Sequence, residues 1–479
     1  VKLADGKMKF GPWIPDLPDL DNPGITEAKN VLPVDGVYKP FRPLISDGSD
    51  ALAARPYGAI EVFGSSANKY LYAGTQTKLY RQDLVLGTYT DVSNGGGSYS
   101  ASTEAWEFAV YDTLIIATNY YNTPEKATIG SGSFGTLAST GTPPKARRIG
   151  KVGQFIILGD LNDGTVIPHR IQWCGIDDPT NWSTPGTSAA VTVQAGEQYL
   201  DSEWGNVNAI RGGDQFGIVL QTGGLTRMTY VGGQTVWQFD KVAGAQGTQL
   251  PHSVVGQNGL WYYISQSGVS VTDGTRAELI GVNQVDQYFN VAYSDVDRER
   301  VHAALYPSKK LIFFSYSTVL GARPSSLLIY NTEEKRYTHA DQDCELLISP
   351  AAGELTPGVS DSPRAFDSSN VYGTFAGTIG TATLTSPEVE FSPGGRTLVQ
   401  GIKPLIQRAG GSVNATVAIG TRDKQDAAVS YTSEATPSTR HGFAEFRSDA
   451  RYHRARTTIT GNFDSITGLE FQQVPSGAV

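Results

Sequence analysis

Short apolar runs, each closed by a pair of Gly, Asn or Asp residues, recur along the chain. Between residues 210 and 274 the same arrangement occurs twice. A Gly-Gly-Asp turn, the run 216–220, a Thr-Gly-Gly turn and the run 225–231 are followed by a Gln-Asn-Gly turn, the run 260–264, a Gln-Ser-Gly turn and the run 269–272. Runs rich in β-branched and aromatic residues between such pairs predict antiparallel strands joined by tight turns. Related runs lie at 70–74, 114–118, 155–159, 311–316 and, more weakly, 371–375. With Leu71, Ile115, Ile156, Ile218, Tyr262 and Ile312 as markers, the gaps are roughly 44, 41, 62, 44 and 50 residues, against about 40–50 per propeller blade. The longest gap holds the loop 173–191. The pattern predicts an all-β chain whose residues 46–383 form a β-propeller of six or seven blades. A two-sheet sandwich would not explain the recurrence, and a parallel β-helix needs a shorter period.

The two ends follow other patterns. Residues 1–45 carry Pro12, Pro15, Pro18, Pro23 and Pro33, each removing a backbone donor and favouring extended geometry before it. Trp13, Ile14, Leu17, Leu20 and Ile25 are too apolar for a free linker. An extended arm is expected, lying on its own body or on a neighbouring subunit. Deletion of residues 1–33 is expected to leave a folded body that assembles poorly. Residues 384–479 alternate as seven short strands (388–391, 397–407, 413–419, 429–432, 444–447, 452–460 and 469–471), separated by Pro-Gly-Gly, Gly-Gly and Thr-Gly turns. They predict a C-terminal β-sandwich.

Composition sharpens this picture. The 479 residues include 54 Gly and 25 Pro with only 39% apolar residues, a balance suited to many strands and turns. The formal net charge of −9 argues against nucleic-acid binding by charge alone. Cys174 and Cys344 lack ligand-like spacing, and so few thiols suit a reducing compartment. There is no apolar run of transmembrane length and no basic-then-apolar leader, so a soluble chain without membrane insertion or secretory address is expected.

Candidate chemistry is sparse. A glycosidase needs two convergent carboxylates, and the candidates are Asp177 and Asp178 in the long loop with Asp341, Asp343 and Glu345. Turn chemistry accounts for the first pair, and a solvated turn or weak cation site for the second group. His169, His252, His302, His339, His441 and His453 show no metal-ligand spacing. No phosphate-binding glycine motif occurs, and the Gly-Gly pairs read as hairpin corners. One basic cluster, Arg447, Arg451, His453, Arg454 and Arg456, reads as a solvated or inter-subunit surface, or as a contact for nucleic-acid backbone. No catalytic, cofactor-binding or metal-ligating residue is expected.

Several stretches together resemble the tail hub, or nozzle, proteins of short-tailed bacteriophages (podoviruses), also called head-closure or DNA-stabilisation proteins. The arm has Asn22-Pro23-Gly24 and the run 27–33, and the long loop has residues 175–182. The middle has 229–233, Trp237-Gln238-Phe239, the Gly244–Gly247 turn, 251–254 and Trp261-Tyr262-Tyr263. Ser267-Gly268, Asp273-Gly274, Ile280-Gly281 and Val285-Asp286 follow, and the run 450–456 precedes 459–461 and Gly468. The resemblance covers most of the chain but does not align every C-terminal strand. It implies a structural virion subunit in a ring, hexameric in expectation, below the portal and its adaptor ring. The ring would retain the packaged genome and pass double-stranded DNA during ejection. Its distal partner would be a needle, plug, spike or fibre protein, and assembly would occur in the host cytoplasm. Trp13, Ile14, Leu17, Leu20, Arg451, Arg454 and Arg456 are the candidate assembly contacts. An acidic lumen would let DNA slide without sticking. The alternatives are a propeller glycan hydrolase or lyase using Asp177 or Asp178 with Asp341 or Asp343, and a carbohydrate- or protein-binding module built on the aromatic loops around Trp173 and Trp182.

Overall fold

A computed structural model describes residues 6–20, 22–64, 68–84, 86–100, 103–294, 298–351 and 361–478. The first five residues of the arm therefore lie outside the described residues. The chain is all-β, with 53% of residues in strands and 6% in helices. No helix among the described residues is long and apolar enough to cross a membrane.

Among the described residues the repeat resolves into six separate four-stranded antiparallel sheets and a seventh four-strand set within a larger sheet. Their first strands are Gly58–Phe63, Glu107–Tyr111, Lys145–Val152, Val207–Gly212, Val255–Gln257, Ala303–Tyr306 and Leu346–Ile348. Each of the first six sets takes its strands in chain order, as hairpin turns of two to a few residues require. First strands of successive sets pack against one another, Val207–Gly212 and Val255–Gln257 being linked through the turn Pro251–Ser253, and Leu346–Ile348 packs back against Gly58–Phe63. The last of these sheets takes its fourth strand from the other end of the chain: Leu44–Ala51 pairs with Val371–Phe375, Leu44 opposite Phe375.

The markers fall on buried second strands, as a pattern of short apolar runs demands. Phe155–Asn162 is buried at all positions but the last. The long gap is an insertion within one sheet. After Val166–Trp173 the chain leaves, buries Trp182, forms the helix Ser188–Val193, and returns as Gly196–Tyr199 to complete the same sheet.

The arm is not a free extension. Lys7–Lys9 pairs with residues 468–470, Trp13 bridges Ile25, and Glu27–Lys29 lies between Arg336–Asp341 and Ala382–Thr385. Of the two placements expected, the described arm takes the one on its own body. The borders expected at 45 and 383 both cut strands, Leu44–Ala51 and Ala382–Thr385.

The C-terminal region departs from the expected seven short strands. The runs 397–407 and 413–419 lie on one strand, Gly395–Arg422, and the runs 452–460 and 469–471 lie on another, Tyr452–Ala478. The Gly-Gly pair expected to turn the chain is a bulge instead. Arg408 faces Phe463 while Val413 faces Gly461, so four residues of one strand are accommodated against one of the other, with Gly410 at φ +110°. Bulges bend and twist a strand without ending it. The two long strands form a curled ribbon inside a 14-stranded sheet. This sheet also holds the Ala303–Asp341 strand set, the arm strand Glu27–Lys29 and Ala382–Thr385. The largest apolar core lies along this sheet, joining Trp13, Ile25 and Tyr38 of the arm to Tyr337, Leu384, Ile459 and Leu469.

Candidate functional site

The seven first strands surround a recess. One part of about 360 Å³ is lined by Ala59, Glu107, Lys151, Arg211, His252 and Leu347. It shares Arg211, His252 and His302 with a second part of about 510 Å³, whose walls include Ile60, Val110, Val254 and Ile348. Together the two parts touch the first strand of every set.

A buried ionic cluster forms one wall. Arg148 shares a strand face with Ala146, Gly150 and Val152, where the alternation calls for small or apolar side chains. It is only 1% exposed. Its guanidinium donates Nη1 to Glu107 Oε1 at 3.1 Å and Nη2 to Glu299 Oε1 at 2.6 Å. The backbone N–H of Ile149 donates to the other oxygen of Glu107 at 3.0 Å. Burial works against the charge on Arg148, but Glu299 and Glu107 outweigh it and raise its pKa. Burial also opposes the charge on Glu299, yet Arg148 and His252 hold its carboxyl well below the usual range.

His252 Nε2 lies 2.8 Å from Glu299 Oε2, and the His252 ring stacks on His302 with centroids 5.1 Å apart. His302 Nδ1 is 3.0 Å from the carbonyl of Arg300. A carbonyl only accepts, so Nδ1 carries the proton of a neutral ring. Burial first, then the neighbouring His252, pushes the His302 pKa down to about 3. Beyond it, Glu345 joins Arg55 at 2.5 Å and Arg300 at 2.8 Å.

The residues singled out by sequence are used elsewhere. Asp177 accepts from Tyr111 Oη at 2.9 Å, and Asp178 accepts from the backbone N–H and hydroxyl of Thr180, as a turn residue does. Asp341 pairs with Lys29 of the arm at 2.6 Å, and Glu345 belongs to the cluster just described. The fold therefore does not converge the loop pair with the Asp341 group. Trp173 and Trp182 are buried and donate their indole N–H to Gln194 O and Pro179 O, so neither offers a stacking platform. Both cysteines are free and buried, and burial pushes each thiol up to about 12. Among the described residues no group of three metal-ligating side chains converges.

Of the candidate assembly contacts, Trp13 and Ile14 are buried within the chain's own core, so their side chains are not open to a neighbour. Trp13 packs on Tyr288 and His339 of the same chain. Leu17 and Leu20 are half-buried. The basic cluster is similarly engaged. Arg454 pairs with Asp19 of the arm and Arg451 with Glu390, each at 2.7 Å, while Arg456 lies over the ring of Tyr431. His453 is buried, which lowers its pKa to about 4.

No spacing in the sequence groups Arg148, Arg211, Glu107, Glu299, His252 and His302. The available signal was a charge at an inward position of an apolar strand, in Ala146-Arg147-Arg148-Ile149 and Trp106-Glu107-Phe108-Ala109.

No protein-family model matches the chain, and no curated protein matches it. Among solved structures, the computationally designed protein Ika8 is similar with a TM-score of 0.40 and 10% identity, over 70% of this chain and 99% of that one.

Proposed function

We propose that this chain is a structural, non-enzymatic subunit of a bacteriophage tail nozzle, with a body that is a seven-bladed β-propeller. Six copies would form the ring between the portal adaptor and a distal needle, plug, spike or fibre. The propeller reading rests on seven four-strand sets whose first strands follow one another around the recess, one pair of them through the turn Pro251–Ser253, and on the fourth strand that residues 44–51 lend to the last set. Closing a ring with a strand from the opposite terminus ties the two ends of the repeat together.

The observation that carries the structural role is where the charged side chains are used. Asp16 of the arm accepts from the backbone N–H groups of Gln287 and Tyr288, both at 2.8 Å, at the start of the helix Asp286–Ala292. Asp19 joins Arg454, Lys29 joins Asp341, and Arg422 joins Glu388 at 2.5 Å. These groups fasten the arm, the repeat and the ribbon into one body, as a ring wall under genome pressure requires. The candidate carboxylates hold turns and ion pairs, which gives the hydrolase or lyase alternative no support. Virions assembled without this chain should package DNA and then lose it. Full, infectious particles formed without it would contradict the reading.

A further inference from the structure

Among the described residues, the recess contains one guanidinium that the internal ion pairs leave over. Arg148 is matched by Glu107 and Glu299, Arg55 and Arg300 by Glu345, and Arg147 by Glu104 and Asp160. Arg211, on the strand Val207–Gly212, has no carboxylate partner among the described residues. It donates Nε to the carbonyl of Val254 at 3.2 Å and Nη1 to the carbonyl of Ile210 at 2.9 Å. These two bonds orient the fork and leave its Nη2 edge open.

Arg211 lines both parts of the recess. Burial pulls its pKa down, with Glu107 opposing and Arg148 adding to the effect. A half-buried guanidinium that meets carbonyls but no carboxylate keeps its charge uncompensated, and a bound anion would compensate it. Next to it, Ile60, Val110, Val254 and Ile348 supply an apolar wall. Small-molecule sites have this composition: apolar walls, a few fixed polar groups and a volume of about 300–1,000 Å³. Glu107, which lines the same recess and acts on the charge of Arg211, opposes a second negative charge on a ligand.

We propose that this recess binds a monoanionic amphipathic small molecule, a carboxylate on a short apolar chain, with Arg211 as its counter-ion and the wall at Val110 and Val254 taking the tail. Guanidinium and carboxylate match as a planar, charge-assisted pair. The site belongs to a single chain and stands or falls independently of ring formation.

Calorimetric titration of the full-length protein with octanoate tests it, with acetate, octan-1-ol and inorganic phosphate as comparisons. Octanoate should bind at one site per chain, at least tenfold more tightly than each of the three. Arg211→Gln should weaken octanoate binding at least tenfold. Val110→Phe, which keeps the charge and narrows the recess, should weaken it similarly, and a thermal melt shows which variant has folded. If one variant fails to fold, the other decides. The proposal is overturned if octanoate does not bind at one site, if a folded variant binds it as the parent does, or if any comparison compound binds as tightly.

Discussion

Arg148 shows at the scale of one residue how charge can specify a β structure. It occupies a position where alternation calls for a small or apolar side chain, and two carboxylates from different parts of the chain meet it there. Removing one partner of a buried ion pair leaves the others uncompensated, at about 3–5 kcal/mol. Arg148→Ala should therefore lower the denaturation midpoint strongly, whereas Arg148→Met combined with Glu107→Gln and Glu299→Gln should recover most of the loss. Urea titration of the variants checks both. The histidines set the acid side of the stability profile. Burial lowers His302 to about 3 and His339 and His453 to about 4, against about 6.5 for an unfolded histidine. The unfolded chain takes up the protons first, so this stability is fully present above pH 6.5 and is lost as pH falls toward 4. Asp286 has the opposite sign. Burial raises it to about 6, so its contribution is present below the unfolded aspartate value near 3.9 and is lost as pH rises through about 6. Burial raises Asp160 as well, and three histidines outweigh these two aspartates, so the melting temperature should fall between pH 7 and about pH 5. His339→Phe keeps a ring against Trp13 and should make that fall shallower.

At the scale of elements, tight turns were legible because they are written in local chemistry. Gly212-Gly213-Asp214 and Gln257-Asn258-Gly259 end strands where expected. The Gly410-Gly411 pair misled for a physical reason: the same glycines allow either a turn or a bulge, and the partner strand decides between them. That partner, around Gly461 and Phe463, is distant in sequence. The arm was legible as extended and apolar, but its docking depends on fits that no local pattern carries. Gly24 is one of these. A Cβ there would stand 2.0 Å from the carbonyl oxygen of Pro12, beside the paired residues Trp13 and Ile25. Gly24→Ala should destabilise by about 1–3 kcal/mol, the usual cost of overpacking. It should also expose the arm to early cleavage in limited proteolysis. Intact resistance in that variant would mean the arm is not seated this way.

For the whole molecule, the period of the repeat was readable, and the interlocking of its ends was not. Pairings between residues 7–51 and 336–478 join positions hundreds of residues apart, and no window of sequence encodes them. They revise the expectation for the arm deletion. Residues 1–33 include Glu27–Lys29 in the interior of the 14-stranded sheet, so their removal should yield a poorly soluble or much less stable chain, measured by thermal melting. The ionic cluster was hidden for a similar reason, since Arg148, His252 and Glu299 come together only when the sheets close on one another. Native mass measurement of the purified full-length protein tests the proposed assembly. A closed ring, six copies in mass, that persists on dilution is the expected result. A monomer at every concentration, even with the portal adaptor present, would contradict it.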